Sequence, residues 1–68
     1  MSQKLRKQLA IFLKEARGNM TYVQFGKRIG ISSSTLHRIE LATQNVTLDT
    51  LESIMGRLKT RISDIFPE

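Results

Sequence analysis

Apolar positions along this chain recur at spacings of three and four, and the pattern breaks into short blocks marked by Ser, Thr or Gly. Residues 4–17, KLRKQLAIFLKEAR, place Leu5, Leu9, Phe12, Leu13 and Ala16 on one helical stripe; Lys4, Lys7 and Lys14 lie off it and Ile11 points away. Gly18 and Asn19 supply the stop. Thr21 with Gln24 forms a T-x-x-Q capping box, so a second helix is predicted from Tyr22, with Phe25 and Ile29 on one face. Gly30 is the residue that can turn with positive φ and end it. Ser32 can cap a third helix, on which Leu36 and Ile39 face inward while Ser33, Ser34, His37, Arg38 and Leu41 cluster on the other side. Residues 41–46, LATQNV, form a linker. Thr47 caps a fourth helix, with Asp49 in its first turn and an apolar stripe of Leu48, Leu51, Ile54, Met55 and Leu58. Residues 60–66, TRISDIF, predict a last short helix before Pro67, its apolar residues being Ile62, Ile65 and Phe66. The expectation is an all-α, compact five-helix bundle, one domain over residues 1–68.

Composition narrows what such a bundle can do. A chain of 68 residues buries only about 60% of the surface it exposes when unfolded. Without Cys there is neither a disulfide framework nor a thiolate zinc site, and the single His makes no metal centre, so no metal or cofactor is expected. The absence of an apolar run of about 18 residues and of a signal peptide fits a reducing cytoplasm. A basic amphipathic first helix could lie on an anionic membrane, but its stripe is needed to cover so small a core, and no membrane partner is expected. Catalysis finds no support: no acid pair, no nucleophile with a base, and no Gly-rich phosphate loop can be assembled. Nor is a small-molecule ligand evident. Charge is more telling. Residues 1–38 hold eight Lys or Arg against Glu15 alone, a net +7, whereas residues 39–68 come to −2. One strongly electropositive side suits a polyanion.

The stretch from Thr21 to Leu41 carries the sharper signal. Gly26 is a small residue in the first of two short helices, Gly30 follows four positions on, and Leu36 and Ile39 stand six and nine positions beyond that. With S-S-S-T-L-H-R-I-E, N-V-T-L-D-T-L-E-S-I and I-S-D-I-F, this spacing resembles the helix-turn-helix of the phage repressor and Cro-like (XRE) family over nearly the whole chain. The resemblance implies a lambda-repressor-like fold in which two helices cross at about 90 to 120° over a short turn and leave no room for a large side chain. Gly26, where the family usually has Ala, costs roughly 1 kcal/mol of helix propensity, so close packing takes precedence there.

The implied function is sequence-specific binding of double-stranded DNA by a bacterial or phage-encoded, nucleoid-associated transcriptional regulator, a repressor, inserting helix 33–41 into the major groove. It would act as a homodimer on a palindromic operator. By position in the motif, Ser33, Ser34 and Arg38 match base-reading or phosphate-gripping positions; Arg bidentate to guanine discriminates strongly and Ser weakly. Ser32 either caps the helix or reaches a thymine methyl. His37, central on this face, could meet a phosphate or base edge, and its protonation would add a charge. Tyr22 either takes the place of a phosphate-bonding Gln or packs at the domain edge. Gln44 and Asn45 can donate to phosphate oxygens from a linker that lacks the family's usual Gly and basic residues. Glu40 matches the family's acid at the end of the recognition helix. Its cation is Lys14, if one residue is inserted near Gly18, or else Arg17; either would make a positional pair of about 0 to 1 kcal/mol if exposed. The dimer surface is expected at 57–66, with Ile62 and Ile65 divided between core and interface and Phe66 as the exposed anchor. The rival reading is a protein-interaction module of the same fold, antitoxin-like or anti-repressor.

Overall fold

The computed structural model describes residues 2–67, and its five helices are α1 (Gln3–Arg17), α2 (Tyr22–Ile29), α3 (Ser33–Glu40), α4 (Leu48–Leu58) and α5 (Ile62–Ile65). The first four each start on a hydroxyl that accepts an N–H three residues on: Ser2 from Leu5, Thr21 from Gln24, Ser32 from Thr35 and Thr47 from Thr50. Each cap satisfies one of the helix's orphan donors and contributes about 1 kcal/mol. At Thr21 the box is complete, because Gln24 Oε1 also accepts the Thr21 N–H at 3.0 Å. α5 opens differently, with Asp64 Oδ2 accepting the Arg61 N–H at 2.9 Å.

Every helix sends side chains into one core of Leu9, Leu13, Phe25, Ile29, Leu36, Ile39, Leu51, Ile54 and Ile65. Burying each contributes about 1.5 to 3 kcal/mol before conformational entropy is counted. α1 lies across α3 and α5, while α2 packs on α3 and α4, so α3 is held from two sides. Met20, Met55 and Leu58 fill the edges of the core. At the far end Gln8 Nε2 donates to the Pro67 carbonyl at 3.1 Å and ties the C-terminal segment to α1.

Several apolar positions depart from the expected stripes. On α1, Leu5 and Ala16 are exposed and Ala10 is buried. The buried line runs through Leu9, Ala10, Leu13 and the half-buried Arg17, because the last turn presents Arg17 toward α3 rather than Ala16. On α4, Leu48 is 83% exposed, since the first residue after the Thr47 cap projects beyond the core that begins at Leu51. The third helix stops at Glu40 with Leu41 as its C-cap, one residue short of the predicted 33–41. The last helix is a single turn within the predicted 60–66.

Candidate nucleic-acid interface

α2 and α3 are joined by Gly30, Ile31 and Ser32. Gly30 takes the left-handed conformation (φ 77°, ψ 31°), and the N–H groups of Gly30 and Ile31 both donate to the Gly26 carbonyl, the latter at 2.8 Å. A Cβ placed on Gly26 would stand well inside contact distance of the Ile31 carbonyl oxygen. Close approach at Gly26 is therefore real: its nearest neighbour is the backbone of the turn, with the first residue of α3, through Ser33 N at 3.6 Å, next to it. That backbone cannot retreat without loosening the Ile31 to Gly26 hydrogen bond. The Arg57 guanidinium from α4 lies over Gly30, 3.0 Å from where a Cβ would be, which sets a cation against the negative end of the α2 dipole.

This corner fixes how α3 is presented. Ser34, His37, Arg38 and Leu41 are exposed along its outer side, Leu41 at 56%, while Ser33 is half-buried on the flank. Ser32 is a working cap: its hydroxyl accepts the Thr35 N–H at 3.2 Å and donates to Thr35 Oγ1 at 2.8 Å.

Beneath the outer face lies a linked set of polar contacts. Arg17 donates from Nε to Glu40 Oε2 at 2.8 Å, from Nη2 to Glu40 Oε1 at 3.0 Å, and from Nη1 to the Met20 carbonyl at 3.0 Å. Its guanidinium also sits 4.2 Å above the Tyr22 ring centre. The Tyr22 ring in turn meets the His37 ring edge to face, 5.1 Å between centres. The cation for Glu40 is thus Arg17 and not Lys14. Nor is the pair exposed, because Glu40 retains only 2% of its accessible surface. Hydrogen bonding to Glu40 raises the Arg17 pKa above its ordinary value, against desolvation and with Coulomb attraction. Tyr22 is half-buried as a packed side chain between Arg17 and His37.

Two further arginine contacts escaped the sequence reading. Arg38 Nε donates to Gln44 Oε1 at 2.8 Å, and Arg6 Nη1 donates to Asn45 Oδ1 at 2.9 Å. Gln44 and Asn45 therefore turn their carbonyl ends toward arginines. Nothing in the sequence signals a pairing of residues 6 and 45, which are 39 positions apart. The three residues expected at a dimer surface are divided: Ile62 is 58% exposed, Phe66 is half-buried against the core, and Ile65 at 1% lies inside it. Ile65 thus belongs to the core, and the exposed apolar residue of the set is Ile62 rather than Phe66.

Two short helices about a left-handed Gly corner, with a polar outer side on the second, define a helix-turn-helix. A family model described as helix-turn-helix matches residues 13–65, well over half of the chain, and the chain belongs to that family, in its XRE, Cro/C1-type branch of DNA-binding regulators. No curated protein and no solved structure matches it. The matched span takes in the corner, the Arg17–Glu40 pair and Ile65, and leaves out the first turns of α1 that carry Arg6. Among the described residues no helix is long and apolar enough to cross a membrane.

Proposed function

We propose that the protein is a sequence-specific transcriptional regulator, a repressor, that inserts α3 into the major groove and grips the flanking phosphates as a homodimer on a palindromic operator. The observation that carries this reading is the outer side of α3, where Ser34, His37 and Arg38 stand exposed together on a helix fixed from behind by the Arg17–Glu40 pair. A rigid element presenting hydrogen-bonding side chains is what base-edge readout demands. The +7 excess over residues 1–38 supports it with long-range attraction to phosphate. In this reading Arg38, Ser33 and Ser34 face bases. His37, Tyr22, Asn45 and the α3 N-terminus capped by Ser32 lie toward the phosphates, while Gln44, expected from the sequence at a phosphate, is turned to Arg38. One observation favours the rival, a protein-binding module: Leu41 is apolar, exposed and on the same side.

Selection of duplexes from a random pool, followed by anisotropy titration at several salt concentrations, tests the proposal. A defined sequence should emerge, and log K should fall with log salt by about 0.9 per phosphate neutralised. Arg38→Ala and Ser34→Ala should each cost about 1 to 3 kcal/mol on the selected sequence and less on random duplex, whereas Lys27→Ala, which removes an exposed cation in the last turn of α2 that would contact only phosphate, should weaken both alike. A salt-independent response with no selected sequence would leave the protein-binding module in its place.

A further inference from the structure

We propose that Gln44 is a positioning residue for Arg38, so that the two side chains read DNA as one unit; the inference rests on the DNA-binding reading of α3. After Leu41 the chain turns at Ala42, whose φ of 59° is left-handed. The turn folds the linker back along the last turn of α3. Thr43 then donates twice to the Arg38 carbonyl, from its N–H at 3.2 Å and from its hydroxyl at 3.1 Å. The next residue, half-buried Gln44, receives the Arg38 Nε–H at 2.8 Å. Backbone and side chain of Arg38 are thus both held by consecutive linker residues.

The chemistry of the two groups decides what this contact leaves available. Arginine carries five N–H donors and no acceptor, so the atom facing Nε must be the amide oxygen of Gln44, and the orientation of the amide is settled. With Nε occupied, the two terminal nitrogens of Arg38 remain, and a pair of parallel N–H donors suits guanine O6 and N7. Rotamer freedom that a solvated arginine would lose on binding is already lost in the free protein, which favours the matching base pair without strengthening general attraction to phosphate. Asn45 anchors the same segment a second time by accepting Arg6 Nη1 at 2.9 Å. A linker with neither Gly nor basic residues therefore acts by holding Arg38 in place.

The test uses the whole protein, with the fold of each variant checked by circular dichroism. In the free protein, the Arg38 Nε–H resonance should be resolved and slow to exchange, and should lose that protection in Gln44→Ala. On DNA, Gln44→Ala should lower the preference for the selected duplex over one with the Arg38-read base pair replaced by on the order of tenfold. Its affinity for random duplex and its salt slope should stay unchanged. Gln44→Glu keeps an acceptor for Nε and should retain the preference while weakening binding to every duplex. Once Arg38 is Ala, adding Gln44→Ala should change the preference no further. An unprotected Arg38 Nε–H in the wild type would overturn the proposal. So would effects of the two substitutions that simply add, or a loss in Gln44→Ala that is equal on all duplexes, the mark of a plain, uncharged phosphate contact. Failure of the wild type to select any sequence would instead overturn the DNA reading itself, and this proposal with it.

Discussion

The corner of α2 and α3 and the C-terminal segment of α4 and α5 treat their exposed side chains in opposite ways. Around the corner three polar groups have holders: Arg17 for Glu40, Tyr22 for His37, Gln44 for Arg38. In the C-terminal segment Leu48 and Ile62 lie largely in water, and the bonds that fix α5 are few. The first region is a surface finished in the monomer, ready to meet a polar, charged ligand with little reordering. The second exposes apolar area whose burial would be favourable only against another surface, as a homodimer would supply. Exposed apolar residues occur in both regions, Val23 and Leu41 about the corner and Leu48 and Ile62 in the C-terminal segment. It is therefore the held polar side chains that set apart the end proposed to meet DNA, while Leu48 and Ile62 are the surface proposed to meet a second copy.

The sharpest break between the two roles falls inside α5. Ile65 is in the core and Ile62, three residues earlier, is not, so Ile65→Ala should cost about 2 to 5 kcal/mol and Ile62→Ala less than about 0.5. Thermal melts of both variants measure this. Sedimentation should show the reverse ranking for assembly: Ile62→Ala keeps the fold but weakens the dimer, and binds a palindrome worse without losing half-site binding. Equal assembly of wild type and Ile62→Ala would remove α5 from the interface.

In the corner, Arg17→Ala would leave Glu40 buried without its cation, and the melting temperature should fall by about 10 °C. Lys14→Ala should leave it unchanged within about 2 °C. Because the folded-state pKa of Arg17 is raised, its contribution is fully present below the ordinary arginine value and is lost only as pH rises through the higher folded one. The difference between the two variants should therefore persist across the neutral range. A large effect of Lys14→Ala would contradict the pairing.

How legible these regions are in the sequence follows from how local their causes are. The Thr21, Ser32 and Thr47 caps, the Thr21–Gln24 box and the Gly30 corner act within three or four residues, and all lie where the pattern put them; the Ser2 cap of α1 acts just as locally but went unread. The choice of Arg17 over Lys14 depends on the rotation of α1 about its own axis, which the stripe of Leu5, Leu9, Phe12, Leu13 and Ala16 defines only to within a residue. The exposure of Leu48 and the burial of Ile65 depend on where the core ends. No local spacing reports that. The pairs Arg38–Gln44 and Arg6–Asn45 require the linker's path, set at Ala42 by a left-handed residue that carries no Gly to announce it.

Gly26 and Gly56 give the same substitution opposite signs in the two regions. Gly26→Ala drives a methyl into the Ile31 carbonyl and should destabilise by about 1 to 2 kcal/mol, despite the propensity gain. Gly56, exposed within α4 and open around its Cβ position, should gain about 0.5 to 1 kcal/mol as Ala. Denaturant midpoints at constant m-value compare the two. If Gly26→Ala stabilises as well, the turn has more slack than its hydrogen bonds allow.

The smallest effect concerns the two non-Gly residues in left-handed conformation, Ala42 at the exit of the corner and Lys59 at the end of α4. A Cβ in that conformation costs about 1 kcal/mol or slightly more. Gly removes the cost but adds freedom to the unfolded chain, leaving a net gain of about 0.5 kcal/mol for Ala42→Gly. Lys59→Gly should gain less at low salt, because it also removes a cation from the C-terminal end of α4, where the helix dipole favours one. Screening weakens that interaction, so the two gains should converge as salt is raised. Melting curves at low and high salt read the comparison directly. A gain for Lys59→Gly that exceeds that of Ala42→Gly at low salt would mean that its charge does not act on the helix end.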